Sequence, residues 1–267
     1  MTALSLGAAL LLAAAAMSAV MALAAAIERR SGNSGWIDVV WTFGLGAVAA
    51  LGALLPFGSG PHDRRLFVAL LAIAWALRLG LHIVRRTRGI GDDPRYAKMK
   101  RDWGANAAAR LAWLLQLQAL ASVPLALGVV LAAHRPASLW QPQDLIGLAV
   151  FVTGIVGGGI ADAQLRAFAR SGGKGVCTRG LWGFSRHPNY FFECVLWCAY
   201  PLIAFGFAYP WGWLAWLAPA CITLLLVRVS GIPPLEEHML AKHGSAYRDY
   251  QRRTSALIPL PPKGAMR

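Results

Sequence analysis

Several charged side chains lie inside long apolar stretches of this sequence, where an unpaired charge is costly to bury. They are Asp38, Arg78, His82, Asp162, Arg166 and Glu193. Four-residue spacing puts Arg78 with His82, and Asp162 with Arg166, on one face of a helix. One interpretation is that these groups neutralise one another as structural ion pairs. Because all of them fall near one end of their apolar segments, beside arginine-rich loops, the other interpretation is a pocket for a large anionic cofactor.

Two polar segments next to these positions have the composition of phosphate-binding loops. The segment 85–110 mixes arginines with turn residues and aromatics, and a guanidinium donates two hydrogen bonds at once to a phosphate. The segment 171–190 is rich in glycine, which frees backbone N–H groups for an anion, and Pro188 fixes the start of the next helix. The alternative is that both loops are basic only because they face the cytoplasm. No G-x-G-x-x-G follows a strand, so no Rossmann-type site is predicted.

The elements that carry these residues are predicted to be transmembrane helices. Of the 267 residues 57% are hydrophobic and 14% are charged, whereas soluble domains have about 25% charged residues. The apolar residues form unbroken blocks, which excludes a disordered chain and a disulfide scaffold and indicates an all-α polytopic membrane protein. Seven segments are long enough to cross the hydrocarbon layer. They are roughly 3–27, 36–57, 66–84, 111–133, 145–165, 190–209 and 211–230.

The positions of lysine and arginine predict how these helices are oriented. Nearly all of them fall in loops on one side, whereas Arg64, Arg65 and Arg135 fall on the other. The positive-inside rule then places the N-terminus outside and the C-terminus in the cytoplasm. The alanine-rich composition indicates a bacterial inner membrane. The net charge of +14 is explained by this asymmetry, so no nucleic-acid partner is predicted.

The chain is predicted to form one membrane-embedded domain over residues 1–267, because no long polar segment interrupts the apolar blocks. The four cysteines form no C-x-x-C pair and are interpreted as packing residues, so no metal site is predicted. The oligomeric state is not predicted.

The start of the sixth segment resembles the signature of the steroid 5α-reductase superfamily. This resemblance rests on Ser-Arg-His-Pro-Asn-Tyr at 185–190 followed by Glu193. The tail is similar as well, with Glu-Glu-His at 236–238 and then Gly-x-x-Tyr-x-x-Tyr and Ala-Leu-Ile-Pro within 244–259. Two further stretches resemble the bacterial steroid-reductase-like branch, and these are 75–86 and 92–96.

The resemblance implies a seven-helix oxidoreductase that uses NADPH to reduce an enone. Hydride would pass to the β-carbon of a 3-oxo-Δ4 steroid or a similar lipid, and a proton would be added at the α-carbon. Helices within 1–133 would form the substrate pocket, and 134–267 would bind the cofactor on the cytoplasmic side. The cofactor residues it implies or leaves as candidates are Arg88, Asp92, Arg95, Tyr96, Asp162, Arg166, Arg170, Lys174, Arg179, Arg186, His187, Pro188, Asn189, Tyr190, Glu193, His238, Tyr247 and Tyr250.

The proton donor is the part of this expected site that departs from the family pattern. Hydride addition leaves negative charge on the ketone oxygen, where a hydrogen-bond donor must meet it. Animal members of the family use a glutamate on the second helix and a tyrosine on the third, but this chain has no tyrosine in either span. We expect Asp38, kept protonated by burial, to be the catalytic acid, partnered by His82, Trp75 or Arg78. The alternative is a structural Asp38–Arg78 ion pair.

Two other functions fit parts of the sequence. The His-Pro-Asn-Tyr run and the Glu-Glu tail also resemble integral-membrane methyltransferases of the isoprenylcysteine type, which bind S-adenosylmethionine. Arginines suited to phosphates, and the polar groups before the shared segment, favour the reductase. A small proton-coupled transporter would need polar groups through the full membrane depth and inverted repeats. The charges stop halfway and no repeat is found, so this function is disfavoured.

Overall fold

The computed structural model describes residues 1–89, 91–173 and 175–263. All regular structure in these residues is helical, apart from an isolated parallel bridge between Ser185 and Ser255. This confirms the all-α prediction. The α-helices are α1 (Ala3–Ser31), α2 (Gly35–Leu54), α3 (His62–Thr87), α4 (Pro94–Trp103), α5 (Ala107–Ala133), α6 (Pro142–Arg170), α7 (Pro188–Trp197), α8 (Ala199–Ala204), α9 (Leu217–Leu224), α10 (Ile232–His243) and α11 (Ser245–Arg253). Short 3₁₀ turns cover Gly104–Asn106, Gly180–Gly183 and Pro210–Trp216, and a π-helical turn covers Leu225–Val229.

Within the part of the chain that the structure describes, six helical stretches are long and apolar enough to cross a membrane, which supports a multi-pass membrane protein. They are Ala3–Ser31, Gly35–Leu54, His62–Thr87, Pro94–Ala133, Pro142–Arg170 and Pro210–His243.

The seventh predicted span, 190–209, is not confirmed as a continuous helix. In the structure it is divided into α7 and α8 at Cys198, and each piece is shorter than a span. Pro201 accounts for the break, because proline has no N–H for the carbonyl four residues earlier and its ring clashes with that carbonyl. That carbonyl belongs to Trp197, the last residue of α7.

Local signals set the ends of the helices that carry polar residues. α1 begins at a capping box in which Thr2 and Ser5 exchange hydrogen bonds, and it ends at Gly32 in the left-handed conformation. α4 begins with Asp93 as its N-cap, followed by Pro94 at the first helical position. These ends fix the positions of the charged residues in the last turn of α1 and within α4.

The described residues fall into two compact units. The first comprises Met1–Leu148 and Ala199–Cys221, and the second comprises the described residues of Ala149–Cys198 and Ile222–Arg267. Within the first unit α2 and α3 pack closely through small residues. A Cβ atom at Gly46 would lie 2.3 Å from the Cβ of Ala76, and one at Gly80 would lie 2.5 Å from the ring of Phe43. Glycine at both positions is therefore required for this packing.

In the second unit the glycine-rich part of α6 packs against α7. A Cβ atom at Gly154 would lie 2.5 Å from the Cβ of Leu196, and one at Gly157 would lie 2.3 Å from the ring of Phe192. The missing side chains let the two helices approach closely, as is common in membrane helix pairs. This approach brings the polar residues at the ends of α6 and α7 together.

A fully buried ion pair joins α3 to α6 inside the first unit. Arg64 donates two parallel hydrogen bonds of 2.7 Å to the carboxylate of Asp144, and neither side chain is exposed. The remaining Arg64 donors reach the carbonyls of Ala137 at 3.0 Å and Ser138 at 2.7 Å. The pair thus fixes the loop 134–141 as well as the two helices, because all of these donors need partners away from water.

Replacing Asp144 by asparagine is expected to lower the free energy of unfolding by about 3–5 kcal/mol, because Arg64 would keep its charge in a buried site without a counterion. The measurement is the unfolding midpoint in detergent. The control is Asp102→Asn, which removes an exposed carboxylate. Equal midpoints for the two variants would contradict the structural role given to the Arg64–Asp144 pair.

Candidate functional site

Asp38, near the start of α2, is at the centre of a polar cluster in the first unit. Its Oδ2 forms a short ion pair with Nη2 of Arg95 and lies 3.5 Å from Nη2 of Arg86. Its Oδ1 accepts a hydrogen bond of 3.2 Å from the hydroxyl of Tyr96. That hydroxyl in turn accepts from Nε2 of Gln118 at 3.2 Å. Tyr96 is 3% exposed, so its phenol is a buried donor held between a carboxylate and an amide.

The segment that brings Arg95 and Tyr96 to Asp38 is held in place by two neighbouring carboxylates. Asp93 caps α4 by accepting from the Arg95 N–H at 3.0 Å, and it also binds the guanidinium groups of Arg95 and Arg86. Asp92 accepts from the Ser34 N–H at 2.7 Å. The sequence assigned Asp92 to the cofactor. In the structure it ties the segment before α4 to the start of α2.

The charge of Asp93 depends on these partners. Burial alone raises the pKa of its carboxyl, but the hydrogen bonds and charges of Arg95 and Arg86 lower it more, so the pKa lies below its usual value. Because the pKa is lowered on folding, the stabilisation is present above the unfolded-state pKa and is lost as the pH falls through the folded-state pKa. Asp93 therefore keeps its ion pairs with Arg95 and Arg86 at neutral pH.

The second unit has a polar site where α6 and α7 meet. The side-chain amide of Asn189 donates to Oδ1 of Asp162 at 3.4 Å, and its own oxygen caps the N–H of Tyr190 at 3.1 Å. One turn later Oε1 of Glu193 accepts from the indole N–H of Trp197 at 2.9 Å. The sequence selected Asp162, Asn189 and Glu193 together, and the structure places Asp162 and Asn189 in contact.

Glu236 on α10 binds the two basic residues that precede α7. Its Oε1 accepts from Nε of Arg186 at 2.7 Å and lies 3.1 Å from Nε2 of His187. Its Oε2 accepts from the Gln251 amide at 2.8 Å. Sequence reasoning missed Glu236 as a site residue and chose His238 from the same Glu-Glu-His motif. The signal that could have found it is the motif's first glutamate, since the partly buried Arg186 favours a counterion.

One nitrogen of His187 has no partner among the described residues. The ring is 2% exposed and stacks on Tyr190 with centroids 5.5 Å apart, while its Nδ1 makes no hydrogen bond. A buried polar atom without a partner is costly, so it is a candidate contact for a bound polar group. Because the Glu236 carboxylate can only accept, Nε2 of His187 carries the hydrogen of their bond, and Nδ1 is left to contact a bound group.

Hydrogen bonds from the tail after α10 hold the segment before α7 in place. The Tyr250 hydroxyl donates to the Trp182 carbonyl at 2.5 Å, and the Arg186 N–H donates to the Ser255 carbonyl at 2.8 Å. Burial raises the pKa of the Tyr247 and Tyr250 phenols, so both are neutral donors at physiological pH. The assignment of both tyrosines to the cofactor stays a prediction, and in the structure Tyr250 supports the loop.

The other predicted site residues differ in accessibility. Trp75 is buried and makes an edge contact with Trp41, and Arg78, His82 and Arg166 are partly exposed. Pro188 is buried at the start of α7. Four basic residues have exposed side chains, namely Arg88, Arg170, Arg179 and His238. Lys174 lies outside the described residues. Within residues 1–89, 91–173 and 175–263, no group of His, Cys, Asp and Glu is arranged to hold a metal ion.

Both polar sites lie within the part of the sequence that matches a known protein family. Residues 24–254 match a family described as "Protein of unknown function (DUF1295)". That family is related to steroid 5α-reductase-like membrane proteins. No curated protein and no solved structure matches the chain. Since the match covers most of the sequence, the chain belongs to the DUF1295 family.

Proposed function

We propose that this protein is a membrane-embedded oxidoreductase that uses NADPH to saturate the double bond of a lipid enone, such as a 3-oxo-Δ4 steroid. The observation that carries the proposal is the buried Tyr96 hydroxyl, held between Asp38 and Gln118. A reductase of this class needs a donor for the ketone oxygen, and a buried, pre-oriented phenol is suited to that task. The relationship of the family to steroid 5α-reductase-like proteins supports the same conclusion.

The geometry changes the role that we give to Asp38. From the sequence we expected a protonated Asp38 to be the acid, but its carboxylate is bound by Arg95 and Arg86 as an ion pair. We therefore assign the donor role to Tyr96 and a positioning role to Asp38. Gln118 donates to the phenol oxygen, which leaves the single O–H hydrogen of Tyr96 as the donor. In this structure Asp38 accepts that hydrogen, so on substrate binding the O–H would have to turn from Asp38 to the ketone oxygen.

Residues of the second unit have the chemistry that NADPH requires. The cofactor supplies the hydride. Asn189 and Glu193 offer an amide and a carboxylate for its ribose and carboxamide, and Nδ1 of His187 offers a buried ring nitrogen for a hydroxyl. The exposed arginines Arg170 and Arg179 suit its phosphates. NADPH is preferred over NADH in this proposal because the loops supply more arginines than one pyrophosphate needs.

The motif shared with isoprenylcysteine-type methyltransferases does not separate the two functions. Arg186, His187 and Glu236 bind one another and fix the segment before α7, so this part of the motif builds local structure. Either nucleotide cofactor has ribose hydroxyls that could bind His187. The Asp38–Tyr96 site has no counterpart in that shared motif, and it favours the reductase.

We further propose that the arginine-rich helix ends face the cytoplasm of a bacterium, with the N-terminus outside and Pro188–Ala204 as a broken seventh crossing. The bond of 2.9 Å between Lys100 and Glu28 supports this topology, because it puts α4 at the end of α1 that carries Arg29 and Arg30. Arg64 and Arg65 lie at the opposite end of α3 from Arg85 and Arg86.

Tyr96→Phe is expected to lower kcat for steroid-dependent NADPH oxidation by about 100–1,000-fold, the cost of losing one oxyanion donor. Oxidation is followed at 340 nm with detergent-purified protein and a 3-oxo-Δ4 steroid, and the KM for NADPH should not change. The control is Tyr209→Phe, which removes another buried phenol in the first unit. If Asp38→Asn abolishes turnover while Tyr96→Phe does not, Asp38 is the acid and our assignment is wrong.

Glu193→Ala is expected to raise the Kd for NADPH by roughly 10–100-fold, because a hydrogen bond to a charged group contributes about 1.5–3 kcal/mol. Direct binding, followed by nicotinamide fluorescence, keeps this test separate from turnover. Asp249→Asn, which changes an exposed carboxylate of the tail, is the control. Absence of NADPH binding by the unaltered protein, together with tight binding of S-adenosylmethionine, would replace the reductase by the methyltransferase.

A further inference from the structure

A cavity of about 220 Å³ lies in the first unit between the end of α1 and the start of α5, beside α4. Its walls are mostly alanine and leucine, including Ala25, Ala108 and Leu111, and its polar groups are Glu28, Arg29 and Lys100. None of these residues has a role in the proposed reaction. Pockets that enclose a drug-sized ligand measure about 300–1,000 Å³, so this cavity fits a small polar headgroup and not a whole nucleotide.

Two groups in the cavity have hydrogen-bonding capacity that the protein does not use. Arg29 is exposed, like Arg30, but it also lines the cavity. It donates through Nε to the Ala25 carbonyl at 3.3 Å, and its terminal nitrogens bind no other residue that the structure describes. Glu28 is 7% exposed, and its Oε1 accepts from Lys100 at 2.9 Å and from Ser34 at 3.4 Å. Its Oε2 has no hydrogen bond to the described part of the chain.

The charges around the cavity suit a ligand that carries both signs. Lys100 is shared between Glu28 and Asp92, at 2.9 and 3.0 Å, so its charge is already compensated. What remains is one guanidinium with donors to spare and one carboxylate oxygen with lone pairs to spare. An anion alone would satisfy Arg29 and leave Glu28 without a new partner, whereas a zwitterion satisfies both.

The cavity lies beside helix surfaces that membrane lipid would contact. α1 and α5 pack together, and Ser18 donates to Gln116 at 2.6 Å between them. Both helices carry exposed leucines, and Trp113, next to the lining residue Ala112, is 67% exposed. An exposed tryptophan beside charged residues at the end of a leucine-rich face is typical of the membrane–water interface.

We propose that this cavity binds the headgroup of a phosphatidylethanolamine-type phospholipid. The phosphate binds the guanidinium of Arg29, the primary ammonium donates to Glu28, and the glycerol region packs on Ala108 and Leu111. Phosphatidylcholine has the same phosphate, but its quaternary nitrogen has no N–H to donate to Glu28. Phosphatidylglycerol lacks the cation. The proposal does not depend on the reductase activity.

The test is native mass spectrometry of the full chain, purified in detergent and given equal amounts of phosphatidylethanolamine, phosphatidylcholine and phosphatidylglycerol with identical acyl chains. The unaltered protein is expected to retain several-fold more phosphatidylethanolamine than either other lipid. Arg29→Gln should reduce binding of all three several-fold. Glu28→Gln should remove the preference over phosphatidylcholine. Arg30→Gln, which changes the neighbouring exposed arginine outside the cavity lining, is the matched control and should bind as the unaltered protein does.

A second variant keeps the proposal testable if Glu28→Gln does not fold. Ala108 is exposed, so Ala108→Phe fills the cavity without crowding the core, and it should remove the retained lipid. Equal retention of phosphatidylethanolamine and phosphatidylcholine by the unaltered protein would overturn the role of Glu28. A preference for phosphatidylglycerol would overturn the zwitterionic headgroup. Unchanged retention in both Arg29→Gln and Ala108→Phe would overturn the site.

Discussion

Pairing of buried charges is the constraint on which the arrangement of these helices depends. An apolar surrounding offers a lone charge no water, so each buried charge has to meet a partner with good geometry. In the first unit Arg64 meets Asp144 in a fully buried pair, and the partly buried Asp38 meets Arg95. In the second unit the partly buried Arg186 meets Glu236. Each of these bonds joins segments at least 50 residues apart and fixes a register that packing of leucine and alanine alone would leave free to slide.

The short helix α4 shows how this constraint produces a site. By composition it belongs to a basic loop, and its arginines have the character of phosphate ligands. Asp93 caps the helix and binds Arg95, which directs the guanidinium to Asp38 and carries Tyr96 with it. The tyrosine that the second and third spans lack is thus supplied by a neighbouring element. Under the proposed function, α4 provides the hydrogen-bond donor for the ketone oxygen, which in animal members of the family comes from the third helix.

The segment before α7 illustrates the difference between a motif and a function. Arg186 binds Glu236 and two carbonyls of the tail, and Tyr250 binds two carbonyls of the loop. Under the proposed function, these bonds give Arg186, Glu236 and Tyr250 a structural role that does not depend on which cofactor is bound. They hold one loop in one shape. The preference for a cofactor would then come from residues that this scaffold positions, such as Asn189 and Glu193, and from the polar site of the first unit.

The sequence by itself determined the all-α class, the apolar helices and the set of polar residues worth attention, because hydropathy and composition are sums over local residues. It also contained the signal for the broken segment at Pro201, although the hydrophobic run around that residue concealed it. Only the tertiary structure decided which charge meets which. Asp38 could have been a protonated acid or a partner of Arg78, and the Glu-Glu-His motif alone did not specify which of its residues meets Arg186. Ion pairs and shared hydrogen bonds depend on distances between residues far apart in the chain, and local sequence does not specify those distances.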